Sequence, residues 1–256
     1  MTAHPDLEAA HLLARRQTLI ETHLEGLGPE PAFLDALDLE EQHQLLDLCC
    51  GTGSFLAALA AAGHTGELVG LDRSEALLQA ARARHPDVRF VLGDALNAPF
   101  PSESFDRISL RFALPHLSPR FAALSEIARL LRQGGRVAAL HGTAGHLEEF
   151  WQVLHRAMHA HPRLRDHALP PPAQPACDAP AAFGPFRAVE RRVLEDAVWL
   201  TPEESTVLLG SYLPALELPQ AALPALRQRY LEEVAGELRG EKWRLTARWE
   251  LWSARR

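Results

Sequence analysis

Three aspartates and a glycine turn are the residues here whose types and spacing could do chemistry. Leu45-Leu46-Asp47-Leu48-Cys49-Cys50-Gly51-Thr52-Gly53 is a short apolar run that holds a carboxylate and then turns on two glycines. Glycine lets backbone N–H groups approach a ligand closely, and the N-terminus of a following helix favours electron-rich groups. Asp72 lies about 20 residues beyond that turn, the offset at which a carboxylate receives ribose hydroxyls. Asp94 follows a third apolar run, where it can accept from an exocyclic amine such as adenine N6. Asp47 costs free energy in an apolar strand unless it is paired, so it calls for a cationic or donor-rich group. A ligand with an adenosine end and an ammonium end satisfies all three. A dinucleotide does not, because its pyrophosphate would be repelled by Asp47, and Leu56 stands where the third glycine of G-x-G-x-x-G would fall.

Such a site needs a sheet to line up its carboxylates. Apolar strand-like runs at 45–49, 67–71, 88–92, 105–110 and 136–141 alternate with helical patterns at 54–62, 74–84 and 119–132. That rhythm implies βαβ crossovers and a parallel sheet, with ligands at its carboxyl edge. Gly134-Gly135 is expected to stop the helix over 119–132. Residues 6–25 and 31–38 read as leading helices. After Gly142 the rhythm changes: helix at 146–160, a Pro/Ala-rich loop at 168–185 that is a possible lid, a strand at 186–198, and helices at 203–211 and 219–239. Thr201-Pro202-Glu203-Glu204 is a helix start, and the aromatic tail 243–252 reads as a last strand. The expected fold is α/β, a Rossmann-like, doubly wound, mostly parallel seven-stranded sheet with N-terminal helices and a helical C-terminal insertion over the site. It forms one domain over 1–256: a helical cap (1–40), a cofactor-binding half (41–143) and a substrate side (144–256).

The 256 residues carry a formal net charge of −7, which argues against a nucleic-acid partner. Lys242 is the one lysine, which removes most lysine chemistry: there is no Walker lysine and no obvious Schiff-base candidate. Cys49, Cys50 and Cys177 cannot all pair, which fits a reducing cytoplasm. No signal peptide or membrane-spanning run is visible. His155, His159 and His161 sit near one helix end without a carboxylate or cysteine to complete a metal set, so no metal is expected.

Asp47-Leu48-Cys49-Cys50-Gly51-Thr52-Gly53 resembles the D-x-G-x-G-x-G loop of class I S-adenosylmethionine-dependent methyltransferases. Asp72, Gly93-Asp94-Ala95, Ser104-Phe105-Asp106 and Glu126-x-x-Arg129-Leu130-Leu131-x-x-Gly134-Gly135 match in order over roughly residues 40–142. The branch is the small-molecule, type 11-like one. The loop is similar to that of ubiquinone/menaquinone C-methyltransferases, although Leu110-Arg111-Phe112 lacks their Leu-Arg-Asn step. The stretch from Thr201 to Tyr212 is weakly similar to trans-aconitate-methyltransferase-like enzymes. Cys49 replaces the first glycine of the loop, and an ordinary backbone is expected there.

The resemblance implies S-adenosyl-L-methionine as cofactor and S-adenosyl-L-homocysteine as product, with a small-molecule acceptor methylated at O, N or C, such as a carboxylate or quinone-like compound. Asp47 would take the methionine ammonium. Cys49, Gly51 and Gly53 would form the loop. Asp72 would hold the ribose diol beside Arg73, and Asp94 and Ala95 would meet adenine. Arg111 would lie near the methionine end or the substrate. In-line methyl transfer requires alignment and exclusion of water, and a base only where the nucleophile carries a proton. His116 and His141, both after strand ends, are the candidate catalytic groups, and Tyr212 a substrate contact. A nucleic-acid methyltransferase is disfavoured by the charge and by the lack of an Asn/Asp/Ser-Pro-Pro-aromatic motif after the fourth strand. A non-catalytic S-adenosylmethionine-binding module is the other alternative.

Overall fold

The computed structural model describes residues 5–169 and 184–256. Seven strands form one sheet: β1 (Leu45–Leu48), β2 (Leu68–Asp72), β3 (Arg89–Leu92), β4 (Phe105–Arg111), β5 (Leu131–Gly142), β6 (Arg187–Leu200) and β7 (Trp243–Arg255). Their order is β3-β2-β1-β4-β5-β7-β6. β1 to β5 pair in parallel, and β7 runs antiparallel between β5 and β6. The order of winding reverses about β1, with β2–β3 on one side and β4–β5 on the other. That switch point opens a crevice at the strands' carboxyl ends.

β1 is buried throughout, as a central parallel strand must be when helices cover both faces. Leu46 and Leu48 join the face formed with Val69, Leu71, Ile108, Leu110, Val137 and Ala139, packed under helix α5 (Arg120–Leu130). Leu45, Ala138, Leu140, Leu245 and Trp249 belong to the opposite face. That face is covered by α2 (Glu30–Leu37), α3 (Ser54–Ala61), α6 (Glu148–His159), α7 (Pro202–Tyr212) and α8 (Leu223–Glu237). Helix α1 (Pro5–Thr22) lies across α7, and α4 (Glu75–Arg84) joins β2 to β3.

The start of α7 forms as its sequence requires. The Thr201 hydroxyl accepts from the Glu204 N–H at 3.2 Å, and the Glu204 carboxylate accepts from the Thr201 N–H at 2.8 Å. Gly134-Gly135 does not act as the expected helix stop. Helix α5 ends at Leu130, and β5 begins at Leu131 and carries both glycines within it. Gly134, at φ +78°, sits where the β4–β5 register shifts, so the pair bends a strand rather than ending a helix. The expected lid at 168–185 and Cys177 fall mostly or wholly on residues 170–183, outside the described residues.

Candidate active site

Asp47 stands between Gly70 of β2 and Ser109 of β4, its register partners in the two neighbouring strands. The Ser109 hydroxyl donates to Asp47 Oδ1 at 2.6 Å. Gly70 has no side chain, and Cys50 Sγ and the Phe90 ring fill its place. Phe90 in turn walls Gly53, where a Cβ would stand 2.4 Å from Phe90 Cζ. Gly53 has φ +74° and Gly51 φ +57°, both in the left-handed region. The turn therefore needs glycine at Gly53 twice over, for conformation and for space.

Cys49 departs from the sequence reading. Its backbone is left-handed at φ +59°, so the position does ask for glycine and cysteine holds it under strain. Burial is the main cause that pushes the thiols of Cys49 (to about 12) and Cys50 upward, with Asp47 and Asp72 adding to it. Neither thiol has thiolate character, and packing is what both side chains do.

Asp72 is fixed from two sides. Its Oδ2 accepts from the Gly51 N–H and its Oδ1 from the Ser74 N–H, both at 2.9 Å. Each oxygen retains a lone pair, so the carboxylate is oriented yet still able to accept from a diol. Asp94 is exposed and caps its own turn, accepting from the Leu96 N–H at 2.9 Å; Ala95 behind it is buried and Arg73 is exposed. The loop after β3 is clamped from α5. Glu126 accepts from the Ala98 N–H at 2.8 Å, and Arg129 binds Glu126 and the carbonyls of Ala98 and Phe100. The Arg129 guanidinium holds the Glu126 carboxyl below its ordinary range.

Arg111 ends β4 on the Asp47 side of the sheet. It donates to Glu30 of α2 at 2.9 Å, and its guanidinium lies 4.8 Å from the Phe55 ring centroid. Its Nε is buried and has no partner. Burial pushes the Asp47 carboxyl up to about 6, against the Ser109 hydrogen bond and the Arg111 charge. Asp47 is thus half-ionised only near pH 6 in the free protein. A ligand cation would complete its ionisation, and a ligand carboxylate would occupy Arg111 Nε. An amino-acid end supplies both.

The candidate catalytic histidines do not converge on this place. His116 is exposed on the short turn Leu114–His116 after β4. His141 is buried within β5 and shares the face of Val137 and Ala139, opposite to Asp47. Its Nε2 lies 2.9 Å from Glu250 Oε2, and Glu250 also accepts from Arg191. Burial lowers the His141 pKa against the pull of Glu250. This pairing ties β5, β7 and β6 together and offers no open nitrogen at the Asp47 crevice. His155 and His159 stack on the exposed side of α6 at 6.1 Å. Among the described residues no three His, Cys, Asp or Glu side chains are grouped to hold a metal, and no helix is long and apolar enough to cross a membrane.

Tyr212 does reach the Asp47 side, within an aromatic group with Phe150 (5.2 Å) and Trp151 (4.7 Å). The sequence reading missed Ser109, Glu30, Arg16 and His146. Ser109 carried a signal, as a polar residue between Ile108 and Leu110. The Glu30–Arg111 and Arg16–Tyr212 contacts join residues far apart in the chain and carried none.

A reversed parallel sheet with glycine turn and strand-end carboxylates at its switch point defines a Rossmann-like methyltransferase fold. The YcgJ protein of Bacillus subtilis has this fold, with TM-score 0.56, 21% identity, and 88% of this chain and 97% of that one covered. So does Haemonchus contortus phospholethanolamine N-methyltransferase 2, solved with phosphomonomethylethanolamine and S-adenosylhomocysteine, at TM-score 0.57 and 19% identity over 100% of this chain and 60% of that one. Residues 45–135 match the family model described as a methyltransferase domain. Demethylmenaquinone methyltransferase of Beutenbergia cavernae is 36% identical over 149 residues, 53% of this chain and 60% of that protein. The corresponding Staphylococcus saprophyticus protein is 35% identical over 108 residues, 41% of this chain and 46% of its own. The chain thus spans about half the length of the curated relatives it matches.

Proposed function

We propose that this protein transfers a methyl group from S-adenosylmethionine to a small-molecule acceptor. The observation that carries the reading is the opposed pair at the end of β1 and β4. A buried carboxyl pushed up to about 6 faces an arginine whose Nε has no partner. That donor and acceptor set fits the ammonium and carboxylate of a methionine moiety. The cofactor supplies an electrophilic methyl group on a sulfonium. Asp47 would hold the ammonium and Arg111 the carboxylate. Gly51 and Gly53 would admit the chain between them, Asp72 would accept from the ribose hydroxyls, and Asp94 with Ala95 would meet adenine. Cys49 and Arg73 would border the cofactor without a charged contact to it. Holding both ends of the donor fixes the direction from which an acceptor must approach, and that alignment is the main task of the protein.

The acceptor belongs to the small-molecule class, and the relatives named demethylmenaquinone methyltransferase favour a planar, quinone-like compound. A cytoplasmic setting agrees with free thiols at Cys49 and Cys50. Titration calorimetry with S-adenosylhomocysteine tests the cofactor half. Micromolar uptake that Asp72→Ala weakens at least tenfold is expected, since a hydrogen bond to a charged group is worth about 1.5–3 kcal/mol. No uptake by the wild-type protein would end this reading.

A further inference from the structure

We propose that the acceptor is a planar compound bearing an anionic oxygen, bound on the α1–α7 seam between Arg16, His146 and Tyr212. This rests on the methyltransferase reading and adds the chemistry of the acceptor to it.

Arg16 of α1 places its guanidinium 4.1 Å from the Tyr212 ring centroid. Among the described residues no carboxylate pairs with it, in contrast to Arg111 and Glu30. A guanidinium over an aromatic face can still donate from its N–H groups. Those groups suit an oxygen anion on a planar body. His146 lies within the field of Arg16 and packs against Trp249, 5.8 Å between centroids. Its ring also covers Gly142, the last residue of β5, where a Cβ would stand 3.3 Å from it. The Arg248 N–H donates to His146 Nδ1 at 3.0 Å. That bond assigns the proton of the neutral ring to Nε2, so His146 is a fixed donor and not a base. Burial, against the Arg248 hydrogen bond and with a smaller push from the Arg16 charge, holds its pKa down at about 4.

The position matches the donor site. His146 and Tyr212 lie on the same sheet face as Asp47. One helix spans both places, because Glu21, one and a half turns beyond Arg16, lies within electrostatic reach of Arg111. Five residues of helix correspond to about 7.5 Å. A cavity beside the seam is the proposed entry. A cavity of about 330 Å³ opens between α1 and α7, lined by Leu12, Arg15, Gly210, Ser211 and Arg227 among others. Ser211 is the chain neighbour of Tyr212 and Arg15 of Arg16. Arg15 and Arg227 likewise lack a carboxylate partner among the described residues. Arg15, Arg16 and Arg227 thus gather on α1 and α8 without a carboxylate partner among the described residues, in a chain of net charge −7.

The test uses matched pairs of planar probes read by tryptophan fluorescence in the presence of S-adenosylhomocysteine. One pair is 2-naphthoate with neutral 2-naphthamide; the other is the ionised enol 2-hydroxy-1,4-naphthoquinone with its neutral 2-methoxy ether. The first arm reports a carboxylate source for the anionic oxygen, the second an enolate or phenolate source. At least one anion should bind about tenfold or more tightly than its neutral partner. Arg16→Gln should abolish that preference and Arg16→Lys retain part of it. Gly210→Phe, which fills the cavity without removing a charge, should weaken every probe that the wild type binds. Equal affinity within both pairs, a preference that survives Arg16→Gln, or binding indifferent to Gly210→Phe would overturn the proposal. Calorimetry with S-adenosylhomocysteine on the same samples keeps the two readings apart. Intact cofactor uptake with no anion preference refutes the seam site alone. Absent uptake in the wild type refutes the methyltransferase reading, whatever the probes do.

Discussion

Replacing Asp47 with asparagine should make the free protein more stable and the cofactor complex weaker, and pH sets the size of both effects. Burial lifts the Asp47 carboxyl from the ordinary 3.8 to about 6. An acid with a raised folded-state pKa opposes folding once it must ionise. Below the unfolded value of about 3.8 the group is protonated in both states and contributes nothing. Between about 4 and 6 the folded state holds the extra proton, so stability drains as pH rises. Above about 6 the penalty is complete, at about 3 kcal/mol from 1.36 kcal/mol per pH unit. Asparagine keeps an acceptor for the Ser109 hydroxyl and removes the charge. Urea denaturation of wild type and Asp47→Asn should therefore give equal stability near pH 4. At pH 8 the variant should lead by about 2–3 kcal/mol. In parallel, wild-type affinity for S-adenosylhomocysteine should fall toward tenfold per unit below pH 6, where a proton must leave before the ammonium binds. The variant should bind at least tenfold more weakly at pH 8, with little slope. A variant no more stable than wild type at pH 8, or a difference independent of pH, would refute the reasoning.

The glycine turn predicts an inequality. Gly53→Ala meets Phe90 at 2.4 Å as well as a left-handed backbone and should cost about 3 kcal/mol, whereas Gly51→Ala meets open space and should cost about 1 kcal/mol in urea melts. Comparable costs for the two would contradict the packing of Phe90. With its thiol raised to about 12, Cys49 should react with iodoacetamide at pH 8 two to three orders of magnitude more slowly than a free thiol; peptide mapping that found rapid labelling would place it in a different environment. Glu250 is fully buried between His141 and Arg191, so Glu250→Gln should cost about 3–5 kcal/mol by stranding those partners. Because that pair lies across the sheet from Asp47, the folded variant should retain wild-type affinity for S-adenosylhomocysteine, and a large loss of affinity would bring His141 back as a site residue.

What the sequence disclosed and what it concealed follow from where the information lies. Asp47 and Asp72 stood out as candidates because a carboxylate in an apolar run is costly and therefore marked, whereas the exposed Asp94 stood out only by its place after β3. The βαβ rhythm and the helix start at Thr201–Glu204 were legible because local pattern alone decides them. Cys49 was not, because nothing in a side chain reports that its backbone is left-handed; the D-x-G-x-G-x-G comparison suggested glycine, and only the φ of +59° shows that the demand persists. Gly134-Gly135 misled for a related reason. Two glycines after a helix read as a stop, but a bulge against β4 uses the same freedom.

The histidines show the deeper limit. A strand covered on one side announces its faces by alternating polar and apolar residues. β5 is covered on both, so Val137-Ala138-Ala139-Leu140 is apolar at every position and the alternation says nothing about where His141 points. One residue of register decides between the Asp47 crevice and the far side of the sheet. The structure resolves it against His141, whose Nε2 is bound to Glu250, and brings in His146 through a loop that reverses over Gly142. The same rule explains Arg111. It shares the parity of Ser109, whose hydroxyl meets Asp47, and so it must emerge on the ligand side whatever it pairs with. Parity along β4 and β5, counted from the single contact between Ser109 and Asp47, is enough to sort which polar groups can act on one ligand.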